Sequence, residues 1–300
     1  MLKRKMFSFV SLLLIAVLVA CSSTSTGGQS SGNTDGNNQT QSTETIKVRL
    51  AHNIQPEDHV ARGMQKFADI VNEKGEGKIE VTVYPSGQLF DDKSMPEAIV
   101  SGSVEMGMNT FSMWGGMMPT AELFSIPGLY TDFDVLYNAL DGEIGDMLEE
   151  ELRSLGAEHL VWVDYGFSYI SSTNEPIVNK DGFKGKKIRV TNASGAKFVE
   201  LMGGSPVTMS GSEVTEALSR GIIDGAFSGV TSFVSRKYYD FSNYFSGPFY
   251  SGVFVLAANK QWYDNLPDDI KQIIQDASAE VTTWIREEYQ RIQHEAINEL

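Results

Sequence analysis

At 300 residues the chain is long enough for two lobes or one large α/β domain, and 39 acidic against 24 basic residues give it a formal charge of −15. An acidic balance of that size excludes general nucleic-acid or anionic-membrane binding, since both need basic footprints. One cysteine in the whole chain excludes an intramolecular disulfide and any thiol-ligated metal or redox motif.

The N-terminus opens with a basic head, Lys3, Arg4 and Lys5, followed by an apolar run from Met6 to Ala20. That run is about 15 residues, short of the roughly 20 a membrane-spanning helix needs, so residues 1–20 read as an export signal. It ends Leu18-Val19-Ala20-Cys21 before a polar tract, a pattern that resembles the lipobox of bacterial lipoproteins. The resemblance implies that Cys21 is lipidated and becomes the new N-terminus, anchored at the outer face of the cytoplasmic membrane. Residues 21–45 are almost wholly Ser, Thr, Gly, Asn and Gln; they bury too little to order themselves and are expected to form a flexible tether. Removing the three basic residues of the signal leaves 21 basic against 39 acidic residues, a charge of −18. An anionic ligand would therefore need a local cation.

Strand and helix signals then alternate. Ile46, Val48 and Leu50, and later Ile79, Val81 and Val83, alternate with polar residues as strands do. Between them Val60, Met64, Phe67 and Val71 share one helical face, with Gly75 placed to end the helix. The unit predicts a βαβ start with a right-handed crossover. Ser94, Pro96 and Glu97 start a short helix that Gly102 stops, and a strand follows at 104–108. Residues 132–155 read as helix broken at Gly142, and 160–165 as strand.

A second series has a strand at 187–190, helices near 194–203 and 212–220, and an apolar step at Ile222-Ile223-Asp224. Ser210 and Glu213 have capping-box spacing. Residues 249–258 form a long apolar strand, and 267–300 one long helix with Ile270, Ile273, Ile274, Ala277, Val281, Trp284 and Ile285 on its inner side. Alternation over this length predicts an α/β protein with two sheets. The chain ends inside that helical pattern, which predicts a missing short C-terminal piece.

Catalytic motifs are absent from the sequence: no G-x-S-x-G elbow, no phosphate loop and no G-x-G-x-x-G. His52 and His59 flank the loop after the first strand, without the spacing or carboxylates of a metal site; loop hydrogen bonding is the expected role. Asp91-Asp92 reads as a solvated turn or helix start. No metal, cofactor or enzyme activity is expected.

Several blocks in order are similar to the DctP family, the solute-binding subunits of tripartite ATP-independent periplasmic (TRAP) transporters. They include Pro56-Glu57-Asp58-His59, Tyr84-Pro85-Ser86-Gly87-Gln88-Leu89, Leu123 to Tyr130 and Asp141 to Gly145. Phe183 to Val190, Met202 to Val207, Glu213 to Leu218 and Ser219 to Gly225 continue the series. The resemblance covers most of the chain after the tether. It implies an α/β, two-lobed periplasmic-binding-protein-like fold with crossing strands and a long C-terminal helix. Lobe I would comprise 46–166 and 254–290, lobe II 167–253 and 291–300, with the ligand between. Its partners would be a small organic acid and the small and large TRAP membrane subunits, driven by an ion gradient.

On the same resemblance Arg189 matches the family arginine that grips the ligand's carboxylate, a task suited to a planar guanidinium fork. Tyr169 stands where many relatives carry a second arginine. Ala226-Phe227-Ser228 stands where many have Gln-Glu-Asn. Asn53 and Lys93 match ligand-contacting positions in relatives, and Asn192 is a further candidate. Phe111, Trp114, Phe167 and Phe233 fall where cleft loops are expected. This set favours a monocarboxylate with an apolar or aromatic body, because a second carboxylate would lack a partner. A ligand-presenting sensor subunit, an extracytoplasmic α/β enzyme and a metal-capture lipoprotein are the competing readings.

Overall fold

A computed structural model describes residues 44–130 and 132–299; the signal, Cys21 and nearly all of the tether lie outside the described residues. The first elements are β1 (Ile46–His52), α1 (His59–Gly75), β2 (Ile79–Tyr84), α2 (Met95–Val100) and β3 (Met106–Thr110). Two 3₁₀ turns, Phe111–Gly116 and Pro119–Ser125, lead to α3 (Phe133–Leu140), α4 (Glu143–Leu155) and β4 (Ala157–Ser172). Then come α5 (Lys180–Phe183), β5 (Lys187–Val190), α6 (Ala193–Met202), β6 (Ser205–Thr208), α7 (Val214–Ser219), β7 (Gly225–Gly229) and α8 (Val230–Ser235). The last are β8 (Tyr244–Asn259), α9 (Lys260–Asp264) and α10 (Asp268–Glu299).

Among the described residues all eight strands belong to one sheet in the order β2-β1-β3-β8-β4-β7-β5-β6, which corrects the expectation of two sheets. The reason lies in β4 and β8. Each runs 16 residues, they pair antiparallel from Ala157↔Asn259 to Ser172↔Tyr244, and each also pairs with a strand of one flanking group. Only their apolar middles were legible as strand, because their outer turns carry Ser, Tyr and Gly rather than a period-2 pattern. On one side of this pair β2, β1 and β3 run parallel; on the other β7, β5 and β6 do.

Helices cover both faces of the first group. α1 and α10 pack Met64, Phe67, Ile274 and Val281 on one face, while α2, α3 and α4 pack Ile99, Leu136, Leu148 and Leu152 on the other. The second group has its own smaller cores, one between β5, β7 and α6, and one under α7 and α8. Helix α10 spans both regions: Ile285 packs with the first core and Tyr289 with Val230 of α8. Among the described residues no helix is long and apolar enough to cross a membrane.

Local boundaries moved by small amounts. Helix α1 ends on Gly75 as expected, with Glu76 and Gly77 beyond it at φ +47° and +81°, and β3 lies two residues beyond its expected span. The capping box of Ser210 and Glu213 forms in full.

Candidate functional site

The parallel strands set the site. Ligands in open α/β sheets sit beyond the carboxyl ends of strands, and here those ends meet the crossing pair. Asn53 follows β1, Asp92 lies in the loop after β2, Thr110 ends β3, Thr191 follows β5 and Ser228 lies late in β7. With Tyr165, Ser168 and the 250–254 stretch of β4 and β8, they line one cavity of about 580 Å³, open solvent at its mouth included.

Arg189 occupies the middle of β5, where Ile188 and Val190 turn into the core shared with α6. Side chains alternate along a strand, so Arg189 faces the opposite side and enters the cavity, only 3 % exposed. Its Nε donates to the Met209 carbonyl oxygen at 3.1 Å and an Nη1 to that of Phe227 at 2.7 Å. Two backbone carbonyls thus fix the guanidinium and leave its outer edge for another acceptor.

A second guanidinium, not anticipated from the sequence, faces the same space. Arg236, just past α8 and 8 % exposed, donates from Nη2 to the Asn53 carbonyl oxygen at 2.7 Å. The space at Gly211 is where the donors meet: a methyl group there would lie 3.7 Å from Arg189 Nη2, 3.8 Å from Arg236 Nη2 and 3.8 Å from Asn53 Nδ2. Asn53 Oδ1 is buried without a partner. Among the described residues neither arginine forms an ion pair with a protein carboxylate.

The rest of the wall is aromatic and hydroxylic. Phe111 stands edge-on to Trp162 at 4.9 Å and faces Phe124 at 6.3 Å, and Phe227 packs on Tyr250 at 5.3 Å. Tyr165 Oη and Ser228 Oγ are 3.0 Å apart. Burial pushes the phenols of Tyr165 and Tyr250 up, the latter to about 12, so both remain neutral donors.

Of the residues singled out from sequence, Arg189, Asn53, Phe111, Phe227 and Ser228 line the cavity. The others lie elsewhere. Tyr169 stacks on Phe245 with ring centroids 4.7 Å apart and planes 17° apart, which holds it in the core under α7 and α8. Trp114 is fully buried and donates its indole N–H to Asn109 Oδ1 at 3.0 Å. Phe167 packs against Phe133 at 5.0 Å; Phe233 packs against Tyr238 and Phe245. Lys93 is exposed, and Asn192 caps α6 by accepting from the Gly195 N–H at 2.7 Å. Asp92, read as part of a solvated turn, is instead 1 % exposed and lines the cavity.

Two contacts join segments beside the cavity. Glu122, from the second 3₁₀ turn, accepts from the N–H groups of Ala193 and Ser194 at 3.2 and 2.6 Å, and from the Ser194 hydroxyl. Beside it Ser112 Oγ and Thr191 Oγ1 are 3.4 Å apart. A carboxylate at the start of a helix satisfies free N–H groups and opposes the positive end of the helix dipole.

The two histidines are structural. His52 Nδ1 accepts from the Ile54 N–H at 3.2 Å, and burial lowers its pKa to about 4. His59 Nδ1 lies 2.9 Å from an Asp58 carboxylate oxygen and its Nε2 lies 3.0 Å from the Asp164 carbonyl oxygen. Among the described residues no group of three or more His, Cys, Asp or Glu is placed to hold a metal ion.

Comparison with known proteins places this architecture. The profile of the bacterial extracellular solute-binding proteins, family 7 (DctP), matches residues 50–300. The C4-dicarboxylate-binding periplasmic protein DctP of Rhodobacter capsulatus is 30 % identical over 245 residues, 80 % of this chain and 73 % of that protein. A TRAP periplasmic solute-binding protein from Sulfurospirillum deleyianum, crystallised with succinate, superposes with a TM-score of 0.82 at 26 % identity, covering 85 % of this chain and 83 % of its own. One from Chromohalobacter salexigens with D-glucuronate gives 0.80 at 26 % identity, covering 84 % of each chain. The relatives are binding proteins of transport systems, not enzymes, and this chain belongs to their family, the DctP solute-binding subunits of TRAP transporters.

Proposed function

We propose that the protein captures a small organic acid outside the cytoplasm, with the ligand's carboxylate held by Arg189 and Arg236 together. The reading rests on one observation above all: two buried guanidiniums, neither paired with a protein carboxylate among the described residues, converge on the same point of one cavity. Fork-shaped donors of this kind bind carboxylates bidentately, and a closed cleft excludes the water that would weaken the contact. Phe111, Phe124 and Phe227 form the wall for the ligand's body, which supports an apolar or aromatic monocarboxylate. Absence of a second cation no longer supports that choice, since Arg236 supplies one.

The division into lobe I (46–166, 254–290) and lobe II (167–253, 291–300) follows the same reading. The cavity lies where β4 and β8 cross, and Glu122–Ser194 and Arg236–Asn53 are the seams that separate when the lobes part. The released acid then passes to the small and large TRAP membrane subunits. Lipidation of Cys21 would keep the receptor beside them through the tether.

A thermal-shift screen of the purified protein against a panel of mono- and dicarboxylic acids tests this. An acid present at about 100 times its dissociation constant adds about 2.7 kcal/mol of stability. Shifts with aromatic or branched monocarboxylates support the full reading. Shifts with dicarboxylates or sugar acids alone keep the receptor and remove the monocarboxylate preference, and silence across the panel sinks the reading.

A further inference from the structure

Among the described residues, three charged side chains line the cavity: Arg189, Arg236 and Asp92. Asp92 is 1 % exposed. Its Oδ1 accepts from the Thr110 N–H at 2.9 Å and its Oδ2 from the Thr110 hydroxyl at 2.8 Å, and its own carbonyl oxygen accepts from Asn109 Nδ2 at 3.2 Å. The carboxylate is therefore built in, fixed by the end of β3, and bonded to neither arginine. We propose that Asp92 sets the charge of the acid the cavity accepts: ionised, it leaves one net positive charge and selects a monoanion, and a dianion enters only with a proton bound to Asp92.

Charge in the buried part of this cavity must nearly balance, because its three charged side chains are largely shielded from water. Two guanidiniums and one carboxylate sum to +1, which one ligand carboxylate neutralises. A second ligand carboxylate would leave an uncompensated negative charge in a buried site, an arrangement of high cost. A buried carboxyl relieves such a cost by taking a proton. Asp92 is already disposed to do so: burial pushes its pKa up, against the Thr110 hydrogen bonds and the two guanidiniums that pull it down.

Among the described residues, no other group lining the cavity competes for that proton. Asp91, its chain neighbour, is exposed and bonded to Ser94, and Lys93 points to solvent. Tyr165 and Tyr250 are neutral with raised pKa values. His52, on β1, is neutral because burial lowers it to about 4.

The proposal rests on the small-acid reading above, and its test separates the two. The full-length protein and Asp92→Asn are titrated near pH 7.5 with succinate and with its monomethyl ester, by calorimetry in two buffers of different protonation enthalpy. For the native protein, succinate should bind with uptake of about one proton and the monoester with none. In Asp92→Asn the uptake should vanish and the affinity for succinate relative to the monoester should rise about tenfold or more, the equivalent of one pKa unit.

Succinate bound by the native protein without proton uptake overturns the proposal, and that arm does not depend on the variant folding. Uptake that persists in Asp92→Asn places the proton on the ligand and overturns it too. So does a relative affinity in the variant within about twofold of native, well under the factor of ten that 1.4 kcal/mol represents. Silence of the native protein across the whole acid panel overturns this proposal together with the reading beneath it.

Discussion

Arg236 and Asn53 are 183 residues apart in the chain, yet a guanidinium N–H of one donates to the backbone carbonyl of the other at 2.7 Å. The contact joins the loop after β1 to the end of α8, and Arg236 lines the cavity. Arg236→Gln keeps a donor and removes the charge. Its expected effect is a loss of about 1.5–3 kcal/mol in acid binding, the worth of a hydrogen bond to a charged group, with a small change in melting temperature. Calorimetric titration with the best acid of the panel checks it; unchanged affinity would remove Arg236 from the site.

On the proposed reading Arg189 carries two duties. Arg189→Ala should weaken acid binding by about 2–5 kcal/mol, as for truncating one partner of a buried charge pair. It should also destabilise the fold, because the carbonyls of Met209 and Phe227 lose their donors, at about 1–3 kcal/mol for each group left unsatisfied. Arg189→Lys keeps the charge without the fork and should fall between. Affinity and denaturant midpoint, measured on both variants, separate the two duties. Native-like binding by the alanine variant would show that the site is elsewhere.

The pair of Asp58 and His59 is fully shielded and makes stability depend on pH. Burial acts to lower the His59 pKa, but the Asp58 charge and hydrogen bond and the Asp164 carbonyl outweigh it, and the net shift is upward. The stabilisation is therefore complete below the ordinary histidine value of about 6.5 and is lost as pH rises through the folded value. Asp58 behaves oppositely: burial raises it, His59 more than offsets this, and its contribution is lost as pH falls below about 3.9. Melting temperature should fall on the alkaline side, and His59→Gln should flatten that fall. A native profile flat between about pH 6 and 9 would contradict the pairing.

Gly166 interrupts β4 at a register shift and adopts φ +71°. A Cβ there would stand 1.9 Å from the Tyr289 ring. Gly166→Ala combines left-handed strain with overpacking, and a loss of about 3 kcal/mol or more is expected. Truncating the ring as well, in Gly166→Ala/Tyr289→Ala, relieves only the clash. If the single variant melts like the native protein, α10 does not press on β4 as described.

Glu122→Ala deletes the carboxylate that receives the first N–H groups of α6. A stability loss of about 1 kcal/mol is expected from the helix-end interaction, together with faster ligand release, since on the proposed lobe division the contact joins the two lobes. Stopped-flow dissociation of a panel acid reads the second effect. A dissociation rate equal to native would confine Glu122 to a local cap.

Much of this protein could be read without coordinates. Periodicity located β1, α1, β2, the broken helix at Gly142, β5 and α10, because each has an apolar stripe whose period matches its geometry. The ordered motif blocks identified the family, and Arg189 stood out by its place at the end of one of them. The sequence also fixed the exclusions, since a single cysteine and an acidic balance are properties of composition alone.

What the sequence did not contain is distance. Arg236 follows a short helix with no motif around it, and nothing local says that it reaches back to Asn53. Asp92 looks like half of a solvated acidic turn until β3 supplies Thr110 as its partner and the cavity removes its water. Tyr169 occupied the right register for a ligand contact and lost it to stacking on Phe245. The two expected sheets became one because β4 and β8 pair along 16 residues each, a long-range hydrogen-bonded register that no window of sequence encodes. Pattern decides which face of a segment is apolar; only the packed chain decides which charges share one cavity.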